Sequence, residues 1–260
     1  MFERFGGLVL KYAKKHWDSE LPENLRFSKE DAILAAERFL AGKRATKNGS
    51  FVRLVGQSGV GKTTQLLPAA EEYYRARMRE PILVAAREFV ELHPHYREIL
   101  EKYGEAELRR RTDDFATIVM FYVLVKLTQE RADFILDLSF VGTKIEWMFE
   151  LMAKNYDEKT YLMMVVPEWK NLELLEGRGW RHGAELEAEF RRATKNGLEF
   201  YRKREGRIVM WGFDSLEPIF DGEFAGAEKV FECEMEREGF LERDEKTLAE
   251  QKKHYLKKIF

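Results

Sequence analysis

Eight consecutive residues, Gly56-Gln57-Ser58-Gly59-Val60-Gly61-Lys62-Thr63, satisfy the pattern G-x-x-x-x-G-K-[ST]. The chemistry this spacing suits is phosphate binding. Glycines let backbone N–H groups turn toward phosphate oxygens, the lysine reaches the β/γ-phosphates, and the threonine hydroxyl binds magnesium. Gly56, Gln57, Ser58, Gly59, Val60, Gly61, Lys62, Thr63 and the adjoining Thr64 are the expected nucleotide-binding residues, with Thr63 as metal ligand. ATP and Mg2+ are the implied cofactors.

Other candidates follow in chain order. Asp137 closes an apolar run, Asp133-Phe134-Ile135-Leu136-Asp137, which places a carboxylate at the C-terminal end of a buried strand. An acid there organises magnesium, binds substrate, or caps the next element. Between Arg178 and Arg207 nine Lys/Arg stand against five Glu, in a chain of formal net charge −2. Arg178, Arg181, Arg191, Arg192 and Lys195 would suit a lid that neutralises phosphate charge, although a solvated helical face looks the same in sequence.

The elements that must position these groups alternate strand and helix. Phe51–Val55 reads as a strand entering the loop, and a helix from Lys62 to about Met78 offers its positive N-terminal end to the anion. Pro68 should bend that helix one to two turns beyond the loop. Further strands are expected at Pro81–Ala85, Asp133–Asp137 and Tyr161–Val166, and a hairpin about Glu205-Gly206 within Tyr201–Trp211. Intervening helices are expected over 97–112, with Gly104 as a weak point, over Asp113–Glu130, and over 143–156.

Ahead of the loop, Phe5, Leu8, Val9, Tyr12 and Ala13 recur at helical spacing, and a second helix begins at Ser28, with Asp31 three residues on, and stops near Gly42. These helices either flank the sheet or cover the nucleotide. The alternation predicts an α/β fold of P-loop kinase-like, three-layer type, a mainly parallel sheet flanked by helices with extra helices at both termini. Its expected parts are an N-terminal helical extension over 1–48, a core over 49–220 with an arginine-rich lid at about 177–200, and a charged helical segment over 221–260.

With 45% hydrophobic and 35% charged residues the 260-residue chain has the composition of an ordered, soluble protein. A lone cysteine, Cys233, excludes an intrachain disulfide and fits a reducing, cytoplasmic setting. The start of the chain lacks the apolar run of a signal peptide, and the stretch Ala116–Val125 is too short to span a bilayer, so no membrane role is expected. The charge balance gives no case for nucleic acid.

The segment Phe89-Val90-Glu91-Leu92-His93-Pro94-His95-Tyr96 resembles the F-x-x-x-H-P-x-[YF] segment of the zeta-toxin family of P-loop kinases. Together with the loop, the later acid and the arginines, the resemblance covers roughly residues 50 to 211. It implies a kinase that phosphorylates an alcohol group of UDP-N-acetylglucosamine from ATP and magnesium, and a small helical antitoxin as partner. The N-terminal helices could stand in that antitoxin's position in cis.

Carried over residue by residue, Lys62, Asp137, Arg178 and a second lid arginine, Arg191 by spacing or Arg192 by the local Arg192-Ala193-Thr194 match, become the catalytic candidates. Arg87, Glu88, His93 and Asp137 become the acceptor-binding candidates. Asp137-Leu138-Ser139 stands where the family has E-G-T. One departure is large: the family's D-x-D after the second strand is here Ala85 and Arg87, neither of which takes a proton. The base would come from elsewhere, Asp137 or Glu88. Otherwise the acceptor differs, or the chain is a nucleotide-binding ATPase or a regulatory relative acting through protein contacts.

Overall fold

The computed structural model describes residues 21–56, 60–138, 149–165, 206–212, 218 and 220–223. Six strands form one sheet in the order β2-β3-β1-β4-β5-β6: β1 Ser50–Val55, β2 Ile82–Ala85, β3 Phe134–Asp137, β4 Glu158–Val165, β5 Arg207–Gly212 and β6 Phe220–Glu223. The strands are mostly parallel and helices flank them, the P-loop kinase-like α/β arrangement. By its contacts the chain divides into two compact units, Met1–Phe51 with Tyr74–Leu136 and Trp147–Asp157, and Val52–Tyr73 with Asp137–Glu146 and Glu158–Phe260.

In the first unit, α1 spans Lys29–Leu40. Its start is a reciprocal cap: the Ser28 hydroxyl accepts from the Asp31 N–H at 3.1 Å, and the Asp31 carboxylate accepts from the Ser28 N–H at 2.7 Å. The helix stops before Gly42, whose φ of +74° leaves the helical region. Ala32, Ala35, Ala36 and Phe39 recur at helical spacing and are buried. Helix α4, Tyr96–Tyr103, ends at Gly104, where φ +78° and ψ 169° break the path before α5, Glu105–Glu130. The charged and apolar halves expected as separate helices on either side of residue 113 are thus one continuous α5. Thr112 and Thr128 fit within it because their hydroxyls donate to the carbonyls four residues back, at 2.8 and 2.7 Å.

The buried residues of 21–41, Leu21, Leu25, Phe27, Ala32, Ala35, Ala36 and Phe39, belong to this unit's core. Leu21 and Leu25 pack with Ile99 and Leu108, and the Phe27 ring meets Phe115 edge-on with centroids 5.0 Å apart. Under β1, Phe51 stacks on Phe134 at 5.5 Å and meets Phe149 and Tyr156 edge-on. The helix ahead of residue 1–20's successor Leu21, expected about Phe5 to Ala13, lies outside the described residues, as do 143–148 of the expected 143–156 helix, of which 149–153 are helical.

The second unit holds the end of β1, the turn after it and the β4–β5–β6 part of the sheet. Lys62–Leu66 form a π-helical turn that passes into α2, Leu67–Arg75, three residues short of Met78. Pro68 has no N–H for the Thr64 carbonyl; the Leu67 N–H instead bonds the Lys62 carbonyl one residue farther back. The expected irregularity is therefore a wide turn just before the proline.

Strand β5 pairs in parallel with β4, from Thr160 opposite Arg207 to Val165 opposite Gly212. Gly206 opens β5, and β6 is the antiparallel partner, which corrects the expected hairpin at Glu205-Gly206. It also corrects the helix expected from Asp221, which lies in β6. The physical reason is a cross-strand fork: Arg207 Nε donates to Asp221 Oδ1 at 2.8 Å and its Nη2 to Oδ2 at 2.7 Å. Beyond residue 223 the chain lies outside the described residues.

Candidate functional site

Strand β1 is buried along its length and delivers Gly56 to the start of the loop. A side chain could not sit there: a Cβ on Gly56 would lie 2.8 Å from Val60 Cγ2 and 3.3 Å from the Met164 carbonyl, at a φ of +148°. Gly61, with φ +96° and ψ 16°, ends the loop in the left-handed region and starts the π turn. Its carbonyl accepts from the Gln65 N–H at 2.8 Å, the Thr64 N–H at 3.1 Å and the Thr64 hydroxyl at 3.2 Å. Val60 and Leu66, each almost fully buried, anchor the two sides.

The functional groups of the turn are already directed. Lys62 is only 8% exposed, and its Nζ donates to the Gly56 carbonyl at 3.2 Å, so the ammonium is held inside the loop. The Thr63 hydroxyl donates to the Asp137 carboxylate at 3.3 Å, linking the helix start to the end of β3. A hydroxyl and a carboxylate side by side are hard oxygen donors of the kind magnesium takes. Gln57, Ser58 and Gly59 lie outside the described residues, as do Arg178, Arg191 and Arg192.

The remaining candidates lie in the first unit. Ala85 ends β2 and is buried, and Arg87–Val90 form the one-turn helix α3. The Glu88 carboxylate is 3.6 Å from Lys43 Nζ, and that ammonium also sits 3.4 Å above the Phe39 ring. Lys43 was not singled out from the sequence; its spacing of four from Phe39 was the available signal.

His93 is 3% exposed. Its ring stands edge-on to Phe27 and Phe115, with centroids at 5.8 and 4.7 Å. Nδ1 accepts from the His95 N–H at 3.1 Å, which leaves the proton of the neutral ring on Nε2, a buried atom with no hydrogen-bond partner among the described residues. Burial pushes the imidazole down from 6.5 to about 4, with the nearby His95 adding to the shift and Asp31 opposing it. The H-P segment thus places its histidine in an aromatic core, where it ties the segment before α1 to α5.

A sequence profile described as Zeta toxin matches residues 38–198. The chain belongs to the zeta toxin family. This zeta-toxin chain is 28% identical over 140 residues to Toxin PezT of Streptococcus pneumoniae serotype 4 (strain ATCC BAA-334 / TIGR4), a match covering 52% of each protein. The matched region therefore spans about half the length of that curated relative. A solved structure from the PezAT chromosomal toxin-antitoxin system of the same pathogen superposes with a TM-score of 0.60 at 18% identity, covering 79% of this chain and 88% of that one. That second likeness is one of fold. No described helix is long and apolar enough to cross a membrane.

Proposed function

We propose that this zeta-toxin chain is an ATP-dependent phosphotransferase acting with Mg2+ on an alcohol group of a sugar nucleotide such as UDP-N-acetylglucosamine, in the cytoplasm. The observation that carries the reading is the Thr63 hydroxyl set on the Asp137 carboxylate next to the loop that holds Lys62. The residues fit the nucleotide and its metal: Gly56 and Gly61 hold positive-φ backbone that a glycine-rich phosphate loop uses, and Thr63 and Asp137 present oxygen ligands. When bound, Mg-ATP supplies the transferable phosphoryl group and divalent charge.

The chain's own residues do the rest. Lys62 leaves the Gly56 carbonyl for phosphate oxygens, a short swing from a position already inside the loop. Arg178, Arg191 and Arg192 are the proposed cations over the phosphates, where transition-state charge spreads. Arg87 favours an anionic acceptor, and Glu88 and His93 are the other acceptor-side candidates, His93 by holding its segment rather than by contact. With Ala85 and Arg87 in place of two aspartates, Asp137 is the carboxylate beside the loop that can hold the acceptor's proton. The PezAT system pairs a toxin with an antitoxin, and we extend to this chain a helical antitoxin partner.

A second reading, a nucleotide-binding ATPase or a regulatory relative acting through protein contacts, is favoured by one observation. Glu88, the carboxylate nearest the altered segment in sequence, is engaged by Lys43. Calorimetry of ATP binding with and without Mg2+ tests the shared premise of both readings. Wild type should bind more tightly with the metal, and Asp137→Asn should lose that gain; metal-independent binding in wild type would refute the premise.

A further inference from the structure

One surface of the first unit gathers positive charge. The Thr46 N–H donates to the Glu80 carbonyl at 2.9 Å, and the Glu80 N–H donates to Thr46 Oγ1 at 2.7 Å. These bonds lay residues 43–47 beside residues 75–80. The two segments carry six cationic side chains, Lys43, Arg44, Lys47, Arg75, Arg77 and Arg79, and one acid, Glu80. Lys43 and Lys47 form ion pairs with Glu88 and Glu130, at 3.6 and 2.8 Å. Arg44, Arg75 and Arg77 are exposed and Arg79 half-buried.

At the tip stands Met78, 94% exposed. The other exposed large hydrophobic among the described residues, Leu34, is at 45%. Met78 also has a φ of +54°, left-handed backbone that a long side chain disfavours and glycine adopts freely. The turn is closed by its backbone, since the Tyr74 carbonyl accepts from both the Arg77 and Arg79 N–H groups at 3.0 Å. The fold therefore calls for nothing from this side chain, yet holds it outward between two arginines.

We propose that the Arg77-Met78-Arg79 turn, with residues 43–47 beside it, is a docking surface for an acidic segment of a partner protein, with Met78 as the apolar anchor. Arginine and methionine are the surface types enriched at protein interfaces, and the unbranched thioether adapts to the pocket that receives it. Opposed charge speeds the encounter and selects the partner. Single-stranded nucleic acid would call for stacking rings, and the turn carries none. A membrane surface would call for an amphipathic apolar face wider than one methionine. None of the residues of this surface belongs to the phosphate loop or its following turn, so substituting them leaves nucleotide binding unchanged.

Fluorescence anisotropy on the full chain tests this, using a labelled peptide of glutamates interrupted by leucine pairs. The expected result is saturable binding that weakens with salt and falls about tenfold in Arg77→Glu/Arg79→Glu, with ATP affinity unchanged. Met78→Gly separates anchoring from folding: it should raise the melting temperature, because glycine suits the left-handed φ, while weakening the peptide several-fold. No saturable peptide binding, full affinity in Met78→Gly, or preference for phosphatidylglycerol vesicles or single-stranded RNA overturns the proposal.

Discussion

The Thr63 hydroxyl donates to the Asp137 carboxylate at 3.3 Å, joining two residues 74 positions apart in the chain. The contact brings the last residue of β3 to the residue that follows Lys62. Thr63→Val and Asp137→Asn should each lower Mg2+-dependent phosphate transfer by about 10²–10³-fold, the usual cost of removing one preorganised electrostatic group. Steady-state kinetics across magnesium concentrations checks this, and an unchanged metal requirement in both variants would count against the pairing.

Gly56→Ala tests the loop's steric demand. The added Cβ would meet Val60 Cγ2 at 2.8 Å, so the loop must shift. The expected outcome is at least a tenfold loss of ATP affinity, about 1.4 kcal/mol, with the fold retained by circular dichroism. Wild-type affinity would show that the loop needs no glycine there.

His93 should make stability depend on acid. Its folded value of about 4 lies below the ordinary 6.5, so between these pH values the unfolded chain binds more protons and stability rises with pH. The contribution is complete above 6.5 and is lost as pH falls toward 4, amounting to about 3 kcal/mol at most. Urea denaturation across that window should show the slope in wild type and a shallower one in His93→Phe; equal slopes would contradict the burial argument.

Two substitutions probe the segment before the loop. Ser28→Ala removes the reciprocal cap of α1 and should cost about 0.5–2 kcal/mol. Phe27→Ala empties the contact with His93 and Phe115 and should cost about 3–5 kcal/mol. Denaturant midpoints report both, and a null effect of Phe27→Ala would mean that this segment is dispensable to the first unit.

How far the sequence carried this reading depends on the range of the interactions. The Ser28–Asp31 cap and the break at Gly104 follow from residues within a turn of each other, and both were legible. The turn after β1 and the acid ending β3 were legible because closely spaced glycines mark a tight turn and a charged residue stops an apolar strand. Their contact and the burial of His93 were not, since each depends on which distant segments pack together. The β5–β6 pairing was missed for the same reason: the Arg207–Asp221 fork joins residues 14 apart, and local charge patterning resembled a helix. The π turn before Pro68 shows a third case, in which the disturbance was foreseen but the backbone's way of absorbing it was not.

The altered end of β2 gives a gain-of-function test. Ala85→Asp with Arg87→Asp should raise sugar-nucleotide phosphorylation by about 10²–10⁴-fold if the missing proton acceptor limits the reaction. Initial rates with UDP-N-acetylglucosamine decide it, and no gain would place the difference in the acceptor itself.

The most direct measurement is mass spectrometry of the protein incubated with Mg2+, ATP and a pool of sugar nucleotides and nucleosides, with Lys62→Ala as the blank. A sugar nucleotide heavier by one phosphoryl group, formed by wild type and absent from the blank, is the predicted result. ADP without a phosphorylated acceptor, or no turnover despite bound ATP, would contradict the phosphotransferase account.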